Sequence, residues 1–348
     1  MSDEIGREQV LEALRSVMDP ELGKDIVDLG FIKNLKIDGG GVSFDLELTT
    51  PKYPAKDSLK SQAEDAVKAL PGVESVSVNL TARPQGQDPW ADRAPIPGVK
   101  QLIAVASGKG GVGKSTIAVN LAAGLAGRGL KVGLLDADIY GPSVAMMMGV
   151  PHGEHPKALD QQILPIERHG VKLMSIAFLL PDAGAPVIWR GPMVANLVKQ
   201  LLRQVLWGKL DVIVVDLPPG TGDAQLTLVQ TVPLDGVVIV TTPQKIATMD
   251  AVRGIEMFAR LEVPVLGLVD NMSRFICGAC GAEHELFPRD GIEEVERRYN
   301  VPVLARVPME PAMGEHGDQG TPTLIAAPES PAARALDDMV EALARKLV

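Results

Sequence analysis

The chain has 348 residues, enough for one large α/β domain plus a smaller one, and its 46% hydrophobic and 22% charged residues leave no room for a large disordered fraction. A formal net charge of -10 argues against a chain whose main work is gripping nucleic acid, which needs a basic face. No apolar run approaches the roughly 20 residues of a membrane span, and the opening Met1 to Glu8 lacks the basic-then-apolar layout of a signal peptide, so a cytoplasmic protein with no membrane partner is expected.

In chain order, the first segment predicts a helix near Arg7 to Val17 and strands at Phe31 to Ile37 and Val42 to Thr49. A helix near Ala55 to Leu70 and a strand at Val73 to Leu80 complete a small α+β module spanning residues 1–83. Residues 84–98 are rich in proline and poor in apolar periodicity, which marks a linker. Over residues 99–348 short Val, Ile and Leu runs alternate with helical stretches: Leu102 to Ala106, Val132 to Leu135, Leu173 to Phe178, Val212 to Val215, Val237 to Val240, Val265 to Val269 and Val301 to Ala305. Strands that are apolar throughout need cover on both faces, so the class is α/β with a doubly wound, mainly parallel sheet. The last helix, Pro331 to Leu347, puts Leu336, Met339, Val340, Leu343 and Leu347 on one stripe, the pattern of a helix packed on its own core.

Between the strand at Leu102 and the helical run Thr116 to Gly127 lies Gly108-Lys109-Gly110-Gly111-Val112-Gly113-Lys114-Ser115-Thr116. Strand, glycine-rich loop and helix in this order are the context of a phosphate-binding P-loop. Backbone N–H groups would line the phosphates, Lys114 would reach the β and γ oxygens of ATP, and the Ser115 hydroxyl would hold Mg2+. Lys109 is a second lysine, placed to curl away from its own phosphates and to stabilise charge on a nucleotide held by a facing subunit; a solvated loop lysine is the alternative. Asp216 ends the strand at Val212 and suits the Mg2+ shell, usually through water. Asp136 and Asp138 end the strand at Val132; Asp138 is assigned to orienting the attacking water and Asp136 to a structural or secondary metal-shell role. Pro218 to Asp223 is the loop expected to sense the γ-phosphate.

The cysteines, Cys277 and Cys280, form one Cys-x-x-Cys pair. A four-iron cluster or a tetrahedral zinc takes four thiolates, so a complete all-cysteine site needs two protomers across a two-fold axis. Cluster, zinc staple and free dithiol all remain open on this chemistry. His284, nearby, is read as solvent-facing.

In combination, Lys109 to Thr116, Asp136-Ala-Asp-Ile-Tyr-Gly-Pro-Ser143, Trp189-Arg-Gly-Pro-Met193, Asp216 to Asp223, Asp270-Asn-Met-Ser273 and Cys277-Gly-Ala-Cys280 resemble the Mrp/ApbC iron–sulfur cluster carriers, a branch of the MinD-like P-loop ATPases. The resemblance runs from about Val99 to the end. The front segment resembles the MIP18-like domain through Met18-Asp-Pro-Glu-Leu-Gly and Asp25-Ile-Val-Asp-Leu-Gly30. It departs from that pattern in having no cysteine over Thr49 to Lys56, so it is read as a docking or regulatory module. The resemblance implies an ATP-hydrolysing homodimer with a [4Fe-4S] cluster bridging its protomers. It further implies transfer to apo iron–sulfur proteins, contact with cluster-assembly scaffold proteins, and adenine recognition by Asn271 and the loop Val307 to Pro311. The competing reading is a MinD/ParA-like spatial-organising ATPase with structural zinc at the dimer interface.

Overall fold

The computed structural model describes residues 6–19, 25–48, 56–82, 94–138, 141–159, 162–179, 197–198, 200–220, 222, 225–226, 229, 231–288 and 290–347. The chain forms two compact units, Met1–Ala91 and Asp92–Val348. In the first, α1 (Arg7–Leu14) precedes β1 (Ile32–Asp38), β2 (Gly41–Leu48), α2 (Lys56–Lys68) and β3 (Ser75–Ala82). β1 and β2 form an antiparallel hairpin, and α2 carries the chain over to β3, parallel to β2. Period-two alternation turns Val42, Phe44, Leu46 and Leu48 of β2 into a core with Leu14, Leu59, Ala63 and Val67. Asp45, between two of these positions, instead accepts the side-chain amides of Asn34 and Asn79 at 2.7 and 3.1 Å. The bond from Asn34, then that from Asn79, holds the Asp45 carboxyl below its usual range. The first helix ends at Leu14, short of Val17, where the Ser16 hydroxyl takes the Ala13 carbonyl at 2.6 Å and competes with the helical ladder.

The second unit begins with β4 (Val99–Ser107), α3 (Lys114–Gly127), β5 (Val132–Asp136) and α4 (Val144–Met147). Short strands β6 (Ala158–Leu159), β7 (Gln162–Ile163) and β8 (Ile166–Arg168) lead to β9 (Val171–Ser175), then β10 (Leu210–Asp216) and β11 (Gly236–Thr241). Helix α5 (Lys245–Arg260), β12 (Val265–Ile276), β13 (Glu283–His284), α6 (Asp290–Tyr299), β14 (Val303–Met309), α7 (Pro311–Asp318), α8 (Thr323–Ala326) and α9 (Pro331–Ala344) complete it. Nine strands make one sheet in the order β13-β12-β11-β4-β10-β5-β9-β8, with β14 also on β12. All neighbours are parallel except β8 with β9 and β12 with β13. β11 is buried at every position, which requires cover on each face; α3 and α5 both pack on it and on β4.

Two strand ends differ from the expected ones for visible reasons. β9 stops at Ser175, whose hydroxyl accepts the Ala177 N–H at 3.1 Å and turns the chain into the 3-10 turn Ile176–Leu179. β12 runs on past Val269 to Ile276, because its polar continuation pairs with β14 and then folds back onto β13. The short strands β8 and β13 have no counterpart in the apolar pattern.

Helix α9 buries Leu336, Met339, Val340 and Leu343 against α3 and β14; Leu347 lies beyond its end. Their close approach depends on Gly124, where a Cβ would come within 2.6 Å of Val340 and 2.9 Å of Leu324. Gly124→Val is therefore expected to lower stability by about 1–3 kcal/mol through overpacking, read as a shift of the urea unfolding midpoint.

Candidate functional site

β10 inserts between β4 and β5, and this puts the ends of three strands side by side. Asp216 is in register with Val105 of β4 and Asp136 of β5, and Asp136 with Ser175 of β9. The phosphate loop leaves β4 at the same level. Gly111 and Gly113 take φ +79 and +84, left-handed values that glycine tolerates. Gly113 caps α3, which starts at Lys114. The loop is braced from two sides: a Cβ on Gly108 would lie 2.4 Å from the Asp250 backbone of α5, and one on Gly113 would lie 2.2 Å from Asn271 Nδ2 of β12. Asn271, expected at a strand end, sits inside the longer β12 and donates Nδ2 to Val112 O at 2.8 Å.

The Lys114 side chain, 6% exposed, turns into a nest of carboxylates. Its Nζ lies 2.7 Å from Asp216 Oδ1 and 3.4 Å from Asp138 Oδ2. Ser115 donates Oγ to the other Asp216 oxygen at 2.5 Å. Asp136, also fully buried, accepts the Asp138 N–H at 3.1 Å and the Ser175 hydroxyl at 2.9 Å. Burial, then the charge of Asp216, pushes the Asp136 carboxyl up to about 8 against the Ser175 bond and Lys114. Burial likewise raises Asp216, opposed chiefly by the Lys114 ammonium. Ser115 and Asp216 offer adjoining hard oxygens, a donor set that fits Mg2+.

The remaining candidates fall around this centre. Lys109 is half-buried and donates Nζ to Gln244 Oε1 at 3.3 Å, at the start of α5. Gly220 N donates to Ser107 O at 2.9 Å, which pins the loop after β10 to the end of β4. Gln225 holds the Pro218 carbonyl at 2.7 Å. Thr221, Asp223 and the segment Trp189 to Met193 lie outside the described residues, as do Thr49 to Ala55 of the first unit and most of the linker. Ser175, Gln244 and Asp250 were not singled out by sequence. Gln244 had one usable signal, its place just after β11, whereas Ser175 and Asp250 become neighbours of the site only through folding.

Cys277 and Cys280 form the turn of the hairpin joining β12 to β13. Cys277 N donates to Ala282 O at 2.9 Å and Gly281 N to Cys277 O at 2.8 Å, and Phe275 stacks on His284. Cys277 is half-buried and Cys280 exposed, and both thiols are free. Backbone N–H groups of Ala279 and then Cys280 aim at the Cys277 sulfur and lower its pKa, favouring the thiolate that metals bind. Among the described residues no third His, Cys, Asp or Glu joins them in a metal-sized cluster.

This fold and site define a MinD-like P-loop NTPase. The cell division ATPase MinD of Pyrococcus furiosus has the same fold at 23% identity and TM-score 0.54, matching 71% of this chain and 99% of that one. A nucleotide-binding protein from Archaeoglobus fulgidus, solved in complex with ADP, is 38% identical at TM-score 0.57 over 65% of this chain and 88% of its own. Residues 98–344 match the family described as NUBPL iron-transfer P-loop NTPase, and residues 7–80 one described as iron–sulfur cluster assembly protein. The chain belongs to this iron-transfer P-loop NTPase family. It is 48% identical over 342 residues to the iron–sulfur cluster carrier protein of Synechocystis, 97% of either chain. Its identity to the carrier protein of Deinococcus radiodurans is 44% over 338 residues, 97% of this chain and 95% of the relative.

The raised Asp136 has a pH signature. An unfolded chain ionises Asp near 3.9, as is usual for the residue, while the folded chain keeps the Asp136 proton to about 8. Between these values the native state binds the extra proton, so stability falls as pH rises and levels off above the folded value. In nucleotide- and Mg2+-free protein, Asp136→Asn is expected to reduce that slope, checked by urea midpoints from about pH 5 to 8.

Proposed function

We propose that this protein is an ATP-hydrolysing iron–sulfur cluster carrier whose homodimer holds a [4Fe-4S] cluster between protomers and passes it to apo-proteins. The observation that carries the reading is the hairpin: two free thiols, Cys280 exposed and Cys277 half-buried, with no third His, Cys, Asp or Glu beside them in a metal-sized cluster among the described residues. A cluster taking four thiolates is then completed by the same hairpin of a second copy. The carrier names borne by relatives matched over nearly their whole length point the same way.

At the nucleotide, the loop amides from Gly108 to Thr116 surround the phosphates while Lys114 releases Asp216 and Asp138 to meet the β and γ oxygens. Ser115 and Asp216 would hold Mg2+, which would supply charge neutralisation there. Asp138, freed from Lys114, accepts a hydrogen bond from the attacking water and aligns it. Lys109 leaves Gln244 to face the partner's nucleotide, and adenine recognition is assigned to Asn271 and the loop Val307 to Pro311, as the family resemblance implies. Residues 1–83 serve as the docking or regulatory module for acceptor or scaffold proteins, joined by the linker at 84–98 to the ATPase domain at 99–348. A spatial organiser bound to membrane through its last helix finds little support, since α9 spends its apolar stripe on its own core. Among the described residues no helix is long and apolar enough to cross a membrane.

Asp138→Asn should leave nucleotide binding intact and slow hydrolysis by about 10²- to 10⁴-fold, measured as phosphate release under single-turnover conditions. Equal rates would remove Asp138 from the mechanism. Cys277→Ala or Cys280→Ala should abolish iron uptake on anaerobic reconstitution, the broad visible absorption and transfer to an apo-acceptor, with nucleotide binding retained. Stoichiometric zinc that iron does not displace, with no transfer to any acceptor, would instead establish a structural staple and overturn the carrier reading.

A further inference from the structure

β12 carries both a brace of the phosphate loop and the cysteine hairpin. Asn271, 5% exposed, fills the hollow beneath the loop, bonded to Val112 O and in contact range of Gly113, where no Cβ intervenes. Cys277 begins the hairpin turn six positions further along the chain, one residue past the end of β12, at most about 20 Å of extended chain. The stretch between them is irregular. Up to Asp270 the strand is paired on both sides, to Thr241 of β11 and to Arg306 of β14. Asn271 still pairs with Val307, but the next pair is Phe275 with Met309. Met272, Ser273 and Arg274 thus stand opposite the single Pro308, which has no N–H to offer a ladder.

Two further features mark this bulge. Met272 adopts φ +56, a left-handed conformation that side chains with a Cβ rarely take. The Ser273 hydroxyl is buried with no hydrogen-bond partner among the described residues. A strained residue beside an unsatisfied buried hydroxyl belongs to a segment for which a second arrangement is within reach.

We propose that Asn271 is a positioning residue and Met272 to Arg274 a hinge, through which nucleotide in the phosphate loop shifts the cysteine hairpin and its hold on the cargo cluster. This rests on the reading of Cys277 and Cys280 as cluster ligands. Phosphates draw the loop amides toward themselves, and Asn271, wedged against Val112 and Gly113, follows the loop. Beyond Asp270 the strand is no longer held by β11, so the displacement passes into the bulge and reaches Phe275 and the hairpin. The route is separate from the loop after Asp216. Linkage makes it reciprocal: a cluster held by the hairpin alters nucleotide affinity by the same factor.

The test reads the hairpin thiols directly. Apo-protein is treated with iodoacetamide, and modification of Cys277 and Cys280 is followed by mass spectrometry with and without saturating Mg-ADP or a non-hydrolysable ATP analogue. Nucleotide is expected to change the rate in the parent by about fivefold or more. At nucleotide saturation the ratio should fall to about one in Asn271→Ala, where the coupling is removed. Met272→Gly keeps the carboxamide but frees the backbone, and should lower the ratio with nucleotide affinity held within about twofold. If Asn271→Ala does not fold, Asn271→Asp, which loses the donor facing Val112 O, carries the same expectation. A parental ratio of one, or a ratio in the Asn271 variant equal to the parent's, overturns the hinge. Iron loading in parallel separates the two readings. A parent whose thiols respond to nucleotide but which takes up no iron overturns the carrier reading and the cargo part of the inference. A parent that loads iron while the Asn271 variant keeps the full ratio overturns the hinge alone.

Discussion

The second unit is organised around one buried ammonium. Lys114 Nζ stands among Asp216, Asp138 and the nearby Asp136, and no other cation reaches this nest among the described residues. Removing one member of a buried ion pair costs about 3–5 kcal/mol because the partner's charge is left without compensation. Here acids outnumber the cation, and the imbalance is relieved by Asp136 keeping its proton, with Ser175 bonded to it. Such a nest suits a ligand that brings both phosphate for the lysine and a divalent cation for the carboxylates.

That arrangement depends on strand order. Asp136 and Asp216 belong to strands far apart in sequence, and they meet because β10 lies between β4 and β5. Parallel strands put all their carboxyl ends on one edge, so the loop from β4, the acids of β5 and β10 and the amide of β12 gather there. Glycine then sets how closely the loop can nest, since Gly108 touches the α5 backbone and Gly113 touches Asn271.

The thiols obey a different constraint. A hairpin turn supplies two thiols with backbone N–H groups aimed at the Cys277 sulfur, and this favours thiolate while leaving Cys277 only half-buried and Cys280 exposed. Exposure suits a cargo that must arrive and leave, whereas a closed structural metal site is completed by four ligands. Because β12 ends in this hairpin after passing beneath the phosphate loop, nucleotide chemistry and thiol chemistry share one strand.

The sequence by itself determined the class of fold and the presence of a phosphate-binding loop. Apolar runs without alternation announce a sheet covered on both faces. Gly108 to Thr116 between a strand and a helix announces the phosphate loop, and a lone Cys-x-x-Cys limits what one chain can ligate. These signals are local, carried by residues close together in the chain. What only the tertiary structure decided is non-local: Lys114 on Asp216 and Asp138, Ser175 on Asp136, Lys109 on Gln244 and Asn271 under Val112. The end of β9 at Ser175 and the extension of β12 to Ile276 escape an apolar pattern for different reasons, one local and one not. In one a side-chain hydroxyl diverts the backbone, and in the other strand pairing carries polar residues into the sheet. Periodicity registers which residues are apolar, and hydrogen bonds between distant segments leave no trace in it.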